Sequence, residues 1–539
     1  MIQLVTAEQM RAYEGYLMET LGIPSLLLME RAAGYIKDAM CRDLHAGTDA
    51  NVLVVSGCGN NGADGLAAAR LLAEEGMRVT VAVIGDPKRC SDNWKVHSQI
   101  LKRMDLPVCN DLKETLKQKP EYIIDAIFGI GVNRELGEEY LDAVRQINAY
   151  RSAHEDCRVL SVDLPSGLHT DSGWPLPEAV KADRTVTFGY PKRGMYLNEG
   201  RRYCGDVICR PIGPGKREVH DYRMDWDEIL PFLPKRDPLG HKGTFGKVLC
   251  IAGCESMPGA SILNVKSVLG CGAGMVKVLS VAANRDLLMQ TVPEAMYTAM
   301  EDVDDTALEK ELQWADTVLL GSGLGKERAA AFLRSRALRK CEKTMVIDAD
   351  GLNALAEDID FLKIRKNKGA VTFLTPHPGE FARLFPEAGK NGGQDPEKIR
   401  ELAKEYGVIL LAKSATTLVT DGRQVYYNSL GSDALATAGS GDVLAGALAA
   451  ASCVIKDPLK AAVYADALHA MAGNAAAEVC GNAAVTALRV IDCMPKVTPH
   501  QSASLTAVSP AGSVVAKRVP PARSNPQGEA KSNFLAVPK

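Results

Sequence analysis

A glycine-rich stretch near the C-terminal end of the chain combines a carboxylate with the predicted start of a helix. Residues 438–446 read Ala-Gly-Ser-Gly-Asp-Val-Leu-Ala-Gly, with Asp442 just before an apolar run. Small residues at this point let backbone N–H groups and a helix N-terminus face a phosphate. Asp442 therefore has two competing roles, an N-terminal cap or a general base that takes a proton from a hydroxyl beside a polyphosphate.

A second set of polar residues follows three predicted strands in the N-terminal half. Its members are Asn60, Asn61, Asp64, Asp125, Asp163 and Ser166. Because ligand sites of parallel α/β sheets lie at the carboxyl ends of the strands, we expect these groups to converge. Taken singly, Asp125 could cap the next helix and Asp163 could brace the turn at 165–167. Together, their oxygen atoms suit an alkali or alkaline-earth cation.

The C-terminal half places polar or glycine-rich loops after its own predicted strands, at 321–325, 348–351, 375–380 and 413–417. Lys413 and the hydroxyls of Thr416 and Thr417 can bind phosphate oxygens, although a single lysine is also compatible with a solvated surface charge. Two prolines flank His377 and fix its position. That histidine can equally be a hydrogen-bonded loop residue.

Strand and helix patterns alternate through both halves, which predicts an α/β fold with mostly parallel sheets. The first half has predicted strands at 51–56, 79–84, 122–127, 158–162 and 185–188. The second half has them at 248–253, 275–279, 317–320, 345–347, 371–374 and 408–411. A helical segment from Thr6 to about Met40, opened by a capping box of Thr6 and Gln9, precedes the first of them.

Composition shifts predict the domain boundaries. The N-terminal domain spans 1–215, a proline-rich linker lies near 211–223, and the C-terminal domain spans 225–495. The first domain is predicted to be Rossmann-like with three layers, since strand 51–56 runs through a glycine turn into a helix. Residues 496–539 are rich in Ser, Pro, Ala and Lys, which predicts a disordered tail.

Charge and composition argue against several classes of function. The chain of 539 residues has 63 Lys and Arg against 66 Asp and Glu, so no global basic field would recruit nucleic acid or an anionic membrane. Its 14 cysteines are scattered, which argues against structural zinc and a disulfide framework. The N-terminus lacks a signal-peptide pattern, and no run reaches the roughly 20 apolar residues of a membrane span. We therefore expect a cytoplasmic enzyme.

The N-terminal motifs resemble the NAD(P)H-hydrate epimerase family over roughly residues 1–215. The matching segments are 22–25, 28–32, 59–65, 125–131 and 162–167. The resemblance implies that Asp163 is the acid/base group and that Asn61, Asp125 and Ser166 coordinate K⁺. The residues that it implies for binding the hydrated dinucleotide are Asn60, Asn61, Gly62, Ala63, Asp64, Gly129, Ile130, Gly131, Val132, Asn133, Arg134, Glu135, Tyr140 and Asp163. Ala63 departs from the glycine of the family.

The C-terminal loops resemble the ADP/ATP-dependent NAD(P)H-hydrate dehydratase family, which has a ribokinase-like fold, over roughly residues 225–495. The matching segments are 242–246, 321–325, 375–380, 413–417 and 438–446. The resemblance implies that the hydrated dinucleotide contacts Ala260, Gly323, His377 and Asp442. It implies that the adenine nucleotide contacts Lys413, Ser414, Ala415, Thr416, Thr417 and Gly441. Three residues depart from the family pattern: Ser322 replaces proline, Ser414 replaces glycine and Ser440 replaces threonine.

Together the two resemblances imply repair of hydrated NADH and NADPH. The first domain would interconvert the R and S epimers, and the second would dehydrate the S epimer. Because hydroxide is a poor leaving group, Asp442 would deprotonate the hydroxyl, ADP or ATP would phosphorylate it, and elimination would restore the dinucleotide. ADP is the expected donor, giving AMP and phosphate, and Mg²⁺ is expected with it.

Two alternatives stay open at this point. The C-terminal domain could be a small-molecule hydroxyl kinase, because the same site supports phosphorylation as such. The N-terminal domain could be a non-catalytic binding module, although Asp163, Asn61, Asp125 and Ser166 argue against this. The expected partners are the two hydrated dinucleotides and ADP, without nucleic acid or membrane, and we expect a homo-oligomer.

Overall fold

The computed structural model describes residues 1–215, 219–389 and 394–498. The predicted tail falls outside these residues from 499 onward, and part of the predicted linker, 216–218, does so too. Within the described ranges we find no helix with the length and hydropathy needed to cross a bilayer.

The strands of the described residues are β1 (Ile2–Leu4), β2 (Asn51–Ser56), β3 (Arg78–Val83), β4 (Val108–Cys109), β5 (Tyr122–Ala126), β6 (Arg158–Val162), β7 (Arg184–Phe188), β8 (Asp206–Arg210), β9 (Asp221–Arg223), β10 (Lys247–Ile251), β11 (Met275–Ser280), β12 (Met296–Ala299), β13 (Thr317–Leu320), β14 (Thr344–Ile347), β15 (Thr372–Leu374), β16 (Ile409–Ala412), β17 (Thr417–Thr420) and β18 (Val425–Asn428).

The α-helices of the same residues are α1 (Ala7–Gly15), α2 (Ser25–Asp38), α3 (Asn60–Glu74), α4 (Asp92–Arg103), α5 (Leu112–Leu116), α6 (Glu138–Ala153), α7 (Gly200–Cys204), α8 (Trp226–Ile229), α9 (Pro258–Gly270), α10 (Arg285–Thr291), α11 (Asp305–Trp314), α12 (Arg328–Lys340), α13 (Asp350–Leu355), α14 (Asp360–Asn367), α15 (Pro378–Leu384), α16 (Pro386–Gly389), α17 (Pro396–Tyr406), α18 (Ser440–Val454), α19 (Pro458–Cys480) and α20 (Ala487–Val497).

A seven-stranded parallel sheet forms the N-terminal half, in the order β4-β3-β2-β5-β6-β7-β8. One face is covered by α2, α3 and α4 and the other by α5 and α6, so apolar residues of the strands are buried on both sides. The predicted three-layer α/β arrangement is confirmed. The Thr6–Gln9 capping box that opens α1 is also present.

An eleven-stranded sheet forms the C-terminal half, in the order β1-β9-β18-β17-β16-β15-β14-β13-β10-β11-β12. The strands from β12 to β16 along this order are parallel, as predicted, whereas β17 is antiparallel to both of its neighbours. The long apolar helices α18 and α19 pack on one face.

The sequence patterns miss the short or edge strands of both sheets, which are β1, β4, β8, β9, β12, β17 and β18. Strand β9 matters most for the architecture. It lies inside the predicted linker and pairs with both β1 and β18. The first residues of the chain therefore belong to the C-terminal sheet, ahead of the helices that cover the N-terminal one.

Candidate active sites

Asp163 lies directly after β6 in a backbone conformation that few side-chain-bearing residues adopt. Its φ is +64°, in the left-handed region, and such strain is concentrated at functional sites. Oδ1 accepts hydrogen bonds from Thr187 Oγ1 at 3.0 Å and from the Phe188 N–H at 3.4 Å. The same oxygen accepts a hydrogen bond from Lys192 Nζ.

Lys192 is a buried partner of Asp163 that the sequence reasoning missed. Its side chain has no exposed surface. Nζ also donates to Thr187 Oγ1 at 2.8 Å and to the Phe188 carbonyl at 3.2 Å, so all three ammonium hydrogens have acceptors. Lys192 follows β7 at the carboxyl edge of the sheet, and this position, like that of Asp163, was predictable from the sequence.

The second carboxylate oxygen of Asp163 faces the predicted dinucleotide loops. A Cβ placed on Gly129 would lie 3.2 Å from Asp163 Oδ2 and 3.0 Å from Asn61 Oδ1. Three predicted residues from three strand ends therefore converge. Oδ1 is held by Lys192, and Oδ2 is the oxygen on the side of Asn61 and Gly129.

Two further acidic groups lie near Asp163. Burial raises the pKa of Asp64 well above its usual value, and the negative charges of Asp163 and Glu14 raise it further. The pKa of Glu14, on α1, is also raised by burial first and then by Asp163, while Lys192 and Arg11 oppose the shift. The protein thus concentrates acidic groups around one buried ammonium, which is typical of a functional site.

Asp125 and Ser166, two of the predicted K⁺ ligands, are in direct contact. Asp125 Oδ1 accepts from Ser166 Oγ at 2.5 Å, and Oδ2 accepts from the Ser166 N–H at 2.8 Å and from Ser161 Oγ at 2.9 Å. Burial raises the pKa of Asp125, although these hydrogen bonds oppose the shift. The third predicted ligand, Asn61, has a buried Nδ2 without a hydrogen-bond partner among the described residues. The three side chains carry carboxylate, hydroxyl and amide oxygens, and this donor set fits a cation that prefers oxygen ligands.

The remaining predicted dinucleotide residues surround this edge of the sheet. Residues 60–64 form the first turn of α3. Arg11 donates to the Ile130 carbonyl at 3.3 Å, and the ring of Tyr140 packs on Phe128 with centroids 4.7 Å apart. Gly131 and residues 133–135 are exposed, whereas Val132 is half-buried.

In the C-terminal half, Asp442 lies in the first turn of α18 but does not cap it. Gly439 occupies the N-cap position in a left-handed conformation and makes no side-chain cap. Of the two roles considered for Asp442, the N-terminal cap is therefore wrong. Burial raises the pKa of Asp442 to about 6, and the charge of Asp348 adds to the shift, while the Ser322 hydroxyl and Lys413 oppose it.

Asp348 links Asp442 to the predicted nucleotide loop. Its Oδ1 accepts from Lys413 Nζ at 3.0 Å and from Thr375 Oγ1 at 2.7 Å. Burial alone would lower the pKa of Lys413, but Asp348, Glu380 and Asp442 raise it overall, so this lysine is charged. Lys413 is thus part of a buried charge network rather than a solvated surface charge. Asp348 lies directly after β14, in the predicted loop 348–351, and its contact with Lys413 was not predicted from the sequence.

The predicted substrate residues lie on both sides of this network. A Cβ on Gly323 would meet the Ala260 Cβ at 2.6 Å, and one on Gly441 would lie 3.4 Å from Lys413 Nζ. Ser322, which replaces the usual proline, has its hydroxyl 3.5 Å from Asp348 Oδ2. His377 caps α15, where its Nδ1 accepts from the Gly379 N–H at 3.0 Å. The loop role considered for this histidine is present, and its other ring nitrogen lies 3.3 Å from Glu380.

A cavity of about 1210 Å³ opens beside these loops. Predicted residues that line it are His377, Lys413, Ser414, Ala415, Thr417 and Gly441. Thr416 is buried beneath the loop, and its N–H donates to Ser414 Oγ at 3.2 Å. Ser440 accompanies them, with its hydroxyl 3.1 Å from Nε2 of the buried His469. Five residues of the N-terminal half also line the cavity: Trp174, Asn198, Glu199, Arg201 and Arg202.

Comparisons with known proteins agree with both halves of the sequence analysis. The family described as YjeF-related protein N-terminus matches residues 25–194, and the family described as NAD(P)H-hydrate dehydratase matches residues 248–496. A bifunctional NAD(P)H-hydrate repair enzyme from Thermofilum pendens is 33% identical over 507 residues, which cover 89% of this chain and 93% of the relative.

Two solved structures are similar to about half of this chain. A ribokinase-like superfamily protein from Enterococcus faecalis is 22% identical with a TM-score of 0.47, and the match covers 53% of this chain and 98% of that one. An ADP/ATP-dependent NAD(P)H-hydrate dehydratase from Bacillus subtilis, co-crystallized with ATP and Mg²⁺, is 24% identical with a TM-score of 0.42. That match covers 50% of this chain and 96% of that one.

Proposed function

Because the chain belongs to the family of bifunctional NAD(P)H-hydrate repair enzymes, we propose that its two halves perform the two steps of that repair. The N-terminal half epimerises R and S hydrated NADH and NADPH. The C-terminal half dehydrates the S epimer at the expense of ADP. The observation that carries the proposal is the convergence of predicted residues at two separate strand edges, around Asp163 in one sheet and Asp442 in the other.

In the epimerase half, Asp163 shuttles the proton and Lys192 keeps its carboxylate aimed. Because Oδ1 accepts three hydrogen bonds, Oδ2 is the oxygen available to a ligand held by Asn61 and Gly129. The residues of the 60–64 turn and the 129–135 loop, with Tyr140, bind the hydrated dinucleotide. A bound K⁺ would be held by Asn61, Asp125 and Ser166 and would supply positive charge near the phosphates of the substrate.

In the dehydratase half, Asp442 takes the proton from the substrate hydroxyl. Ala260, Gly323 and His377 bind the hydrated dinucleotide, while residues 413–417 and Gly441 bind the adenine nucleotide. Lys413 and the N-terminus of α18 stabilise the charge of the transferring phosphoryl group. Mg²⁺ would enter with the nucleotide and would neutralise phosphate charge.

Chemically hydrated NADH provides the test. Incubation of the enzyme with the S epimer, Mg²⁺ and either ADP or ATP should restore the absorbance band of reduced nicotinamide, faster with ADP. No recovery with either nucleotide would reject the repair function, and a stable phosphorylated product without NADH would favour the hydroxyl kinase.

Two inactivated variants separate the steps. Asp163→Asn should still repair the S epimer but leave the R epimer to spontaneous exchange. Asp442→Asn should exchange the epimers without restoring NADH. If Asp163→Asn left enzymatic epimer exchange unchanged, Asp163 would not be the acid/base group.

We also propose a cytoplasmic, homo-oligomeric enzyme. The free state of all 14 cysteines supports a reducing compartment. Sedimentation analysis of the purified chain tests the oligomeric state. A monomer at micromolar concentration would contradict the proposed homo-oligomer.

A further inference from the structure

Residues of the N-terminal half reach the loop that is proposed to bind the adenine nucleotide. Arg201, on α7 between β7 and β8 of the seven-stranded sheet, donates from one terminal nitrogen to the Ala415 carbonyl at 3.0 Å. Its other terminal nitrogen donates to the Gly431 carbonyl, also at 3.0 Å. Ala415 and Gly431 lie on two different loops of the cavity wall. One guanidinium therefore ties those two loops together.

A second link joins the same two regions. Asn198 bonds both backbone groups of Gln394, accepting from its N–H at 3.0 Å and donating to its carbonyl at 3.4 Å. The Gln394 side chain donates to the Ala412 carbonyl at 2.8 Å and accepts from Ser414 Oγ at 2.9 Å. Ser414 Oγ also forms hydrogen bonds with the backbone N–H and carbonyl of Thr416, which stabilise this part of the loop. The nucleotide loop is thus connected to the N-terminal half directly at Ala415 and, through Gln394, at Ala412 and Ser414.

Arg201 has no acidic partner within the part of the chain that the structure describes, and burial alone lowers its pKa. The residue lines the cavity together with the nucleotide loop. An arginine used only to join two surfaces is commonly paired with a carboxylate, as Arg193 is with Glu397 at the same boundary. Arg201 instead donates hydrogen bonds to two backbone carbonyls, those of Ala415 and Gly431, and these bonds hold the two loops in place.

We propose that Arg201 and Asn198 are positioning residues for the nucleotide site of the other half, so that nucleotide affinity depends on the N-terminal sheet. The inference rests on the proposed function, in which residues 413–417 bind ADP. A preformed loop costs less conformational entropy when the ligand binds, so loss of either link should weaken binding rather than slow chemistry at saturation. Neither residue touches the reacting atoms.

Calorimetric titration with Mg·ADP on the full-length chain tests this proposal. Arg201→Met should raise Kd about tenfold, because two hydrogen bonds from a charged donor are lost. Arg201→Lys, which keeps the charge but can reach fewer carbonyls, should give an intermediate Kd. In dehydration assays KM for ADP should rise in parallel, with kcat within about threefold and epimerisation unchanged.

Arg78→Met is the matched control, since Arg78 is a surface arginine at the start of β3 with 71% of its side chain exposed. It should leave Kd unchanged. A purely structural role for Arg201 would lower the active fraction and the melting temperature but leave Kd of the folded protein unaltered. A Kd within twofold of wild type for Arg201→Met would overturn the proposal.

If Arg201→Met does not fold, Asn198→Ala and Arg201→Lys take its place, and unchanged Kd in both would have the same meaning. Failure of the proposed function is distinguishable, because then the wild-type chain itself would neither bind Mg·ADP or Mg·ATP nor dehydrate the S epimer. That result would reject both proposals together.

Discussion

Lys192 shows how a buried charge can be maintained for chemistry. Removing an ammonium from water costs several kcal/mol, and only close acceptors offset that cost. Here the acceptors are Asp163, Thr187 and the Phe188 carbonyl, with the acidic groups of Asp64 and Glu14 nearby. The ammonium offsets the negative charge of Asp163 and opposes the rise that burial causes in the pKa of Glu14.

We predict that Lys192→Met lowers the free energy of unfolding by about 3–5 kcal/mol at neutral pH, because it leaves Asp163 buried without its counter-ion. Asp163→Asn in the same chain should recover part of that loss, since the two residues are directly coupled. Urea denaturation of the single and double variants measures both effects. The exposed Lys181→Met serves as the control and should change stability by less than about 0.5 kcal/mol. Additive losses in the double variant would contradict the prediction.

Asp442 has a pKa of about 6, above the value of a free aspartate, because burial and Asp348 disfavour its charge. As the pH falls through about 6 the carboxylate is protonated and cannot act as a base. We therefore predict that kcat/KM for dehydration decreases about tenfold per pH unit below this pKa, while it is flat above it. Pre-steady-state rates across pH 5–8 measure this, and a profile flat down to pH 5 would refute it.

The ionised form of Asp442, which dehydration requires, lowers the stability of the folded protein. A raised carboxyl pKa means that the folded state holds its proton more tightly than the unfolded chain. The ionised Asp442 therefore destabilises the fold at pH values above about 6. Asp442→Asn should therefore gain stability at pH 7, by about 1–3 kcal/mol, while losing dehydration by at least about 100-fold. Equal stability of the two proteins at pH 7 would count against the raised pKa.

At the scale of elements, the first turn of α3 explains why Ala63 is tolerated where the family has glycine. Ala63 is fully buried and belongs to the apolar core under the sheet. Its neighbour Gly62 is different, because a Cβ there would lie 1.9 Å from the Gly57 carbonyl oxygen. Of these two positions, only position 62 requires glycine, because helix and strand approach each other closely there.

We predict opposite outcomes for the two positions. Ala63→Gly should cost about 0.5–1 kcal/mol of stability through helix propensity and leave KM for the hydrated dinucleotide within twofold. Gly62→Ala should displace the turn and reduce epimerisation about 100-fold. Thermal unfolding and epimer-exchange rates test both variants, and a Gly62→Ala enzyme with full activity would show that the turn can shift without harm.

Strongly patterned elements were predictable from the sequence, whereas short elements were not. The buried strands β2, β5 and β6 carry apolar runs followed by polar residues, so both the strands and the positions of Asp125 and Asp163 could be predicted. Strand β9 has three residues, Asp-Tyr-Arg, with no apolar pattern, and it exists because β1 and β18 provide its hydrogen bonds. Arg201 was missed because only tertiary contacts give it its partners, whereas Lys192 follows β7 and was predictable from that position.

At the scale of the whole molecule, one short segment joins the two cores. Leu4 is buried in the core that contains the C-terminal strands, and the next residue, Val5, is buried in the core of the N-terminal sheet. The Val5 N–H donates to the Pro191 carbonyl at 3.1 Å, directly before Lys192. The Leu4 core also includes residues 195–197 of the N-terminal half. The two halves therefore share apolar packing in addition to the polar links at Arg201 and Asn198.

This shared packing predicts that the full-length chain unfolds in a single cooperative transition. Loss of either half would expose the apolar surface that surrounds Leu4, so neither half gains by unfolding first. Mg·ADP at 100 times its Kd should then stabilise the whole chain by about 2.7 kcal/mol, although it binds one half. Differential scanning calorimetry with and without Mg·ADP measures this.

Leu4→Ala, which removes a side chain from the shared core, should lower stability by about 2–5 kcal/mol and weaken the coupling between the two halves. Two separate transitions in the wild-type chain, of which Mg·ADP moves only one, would show that the halves are thermodynamically independent.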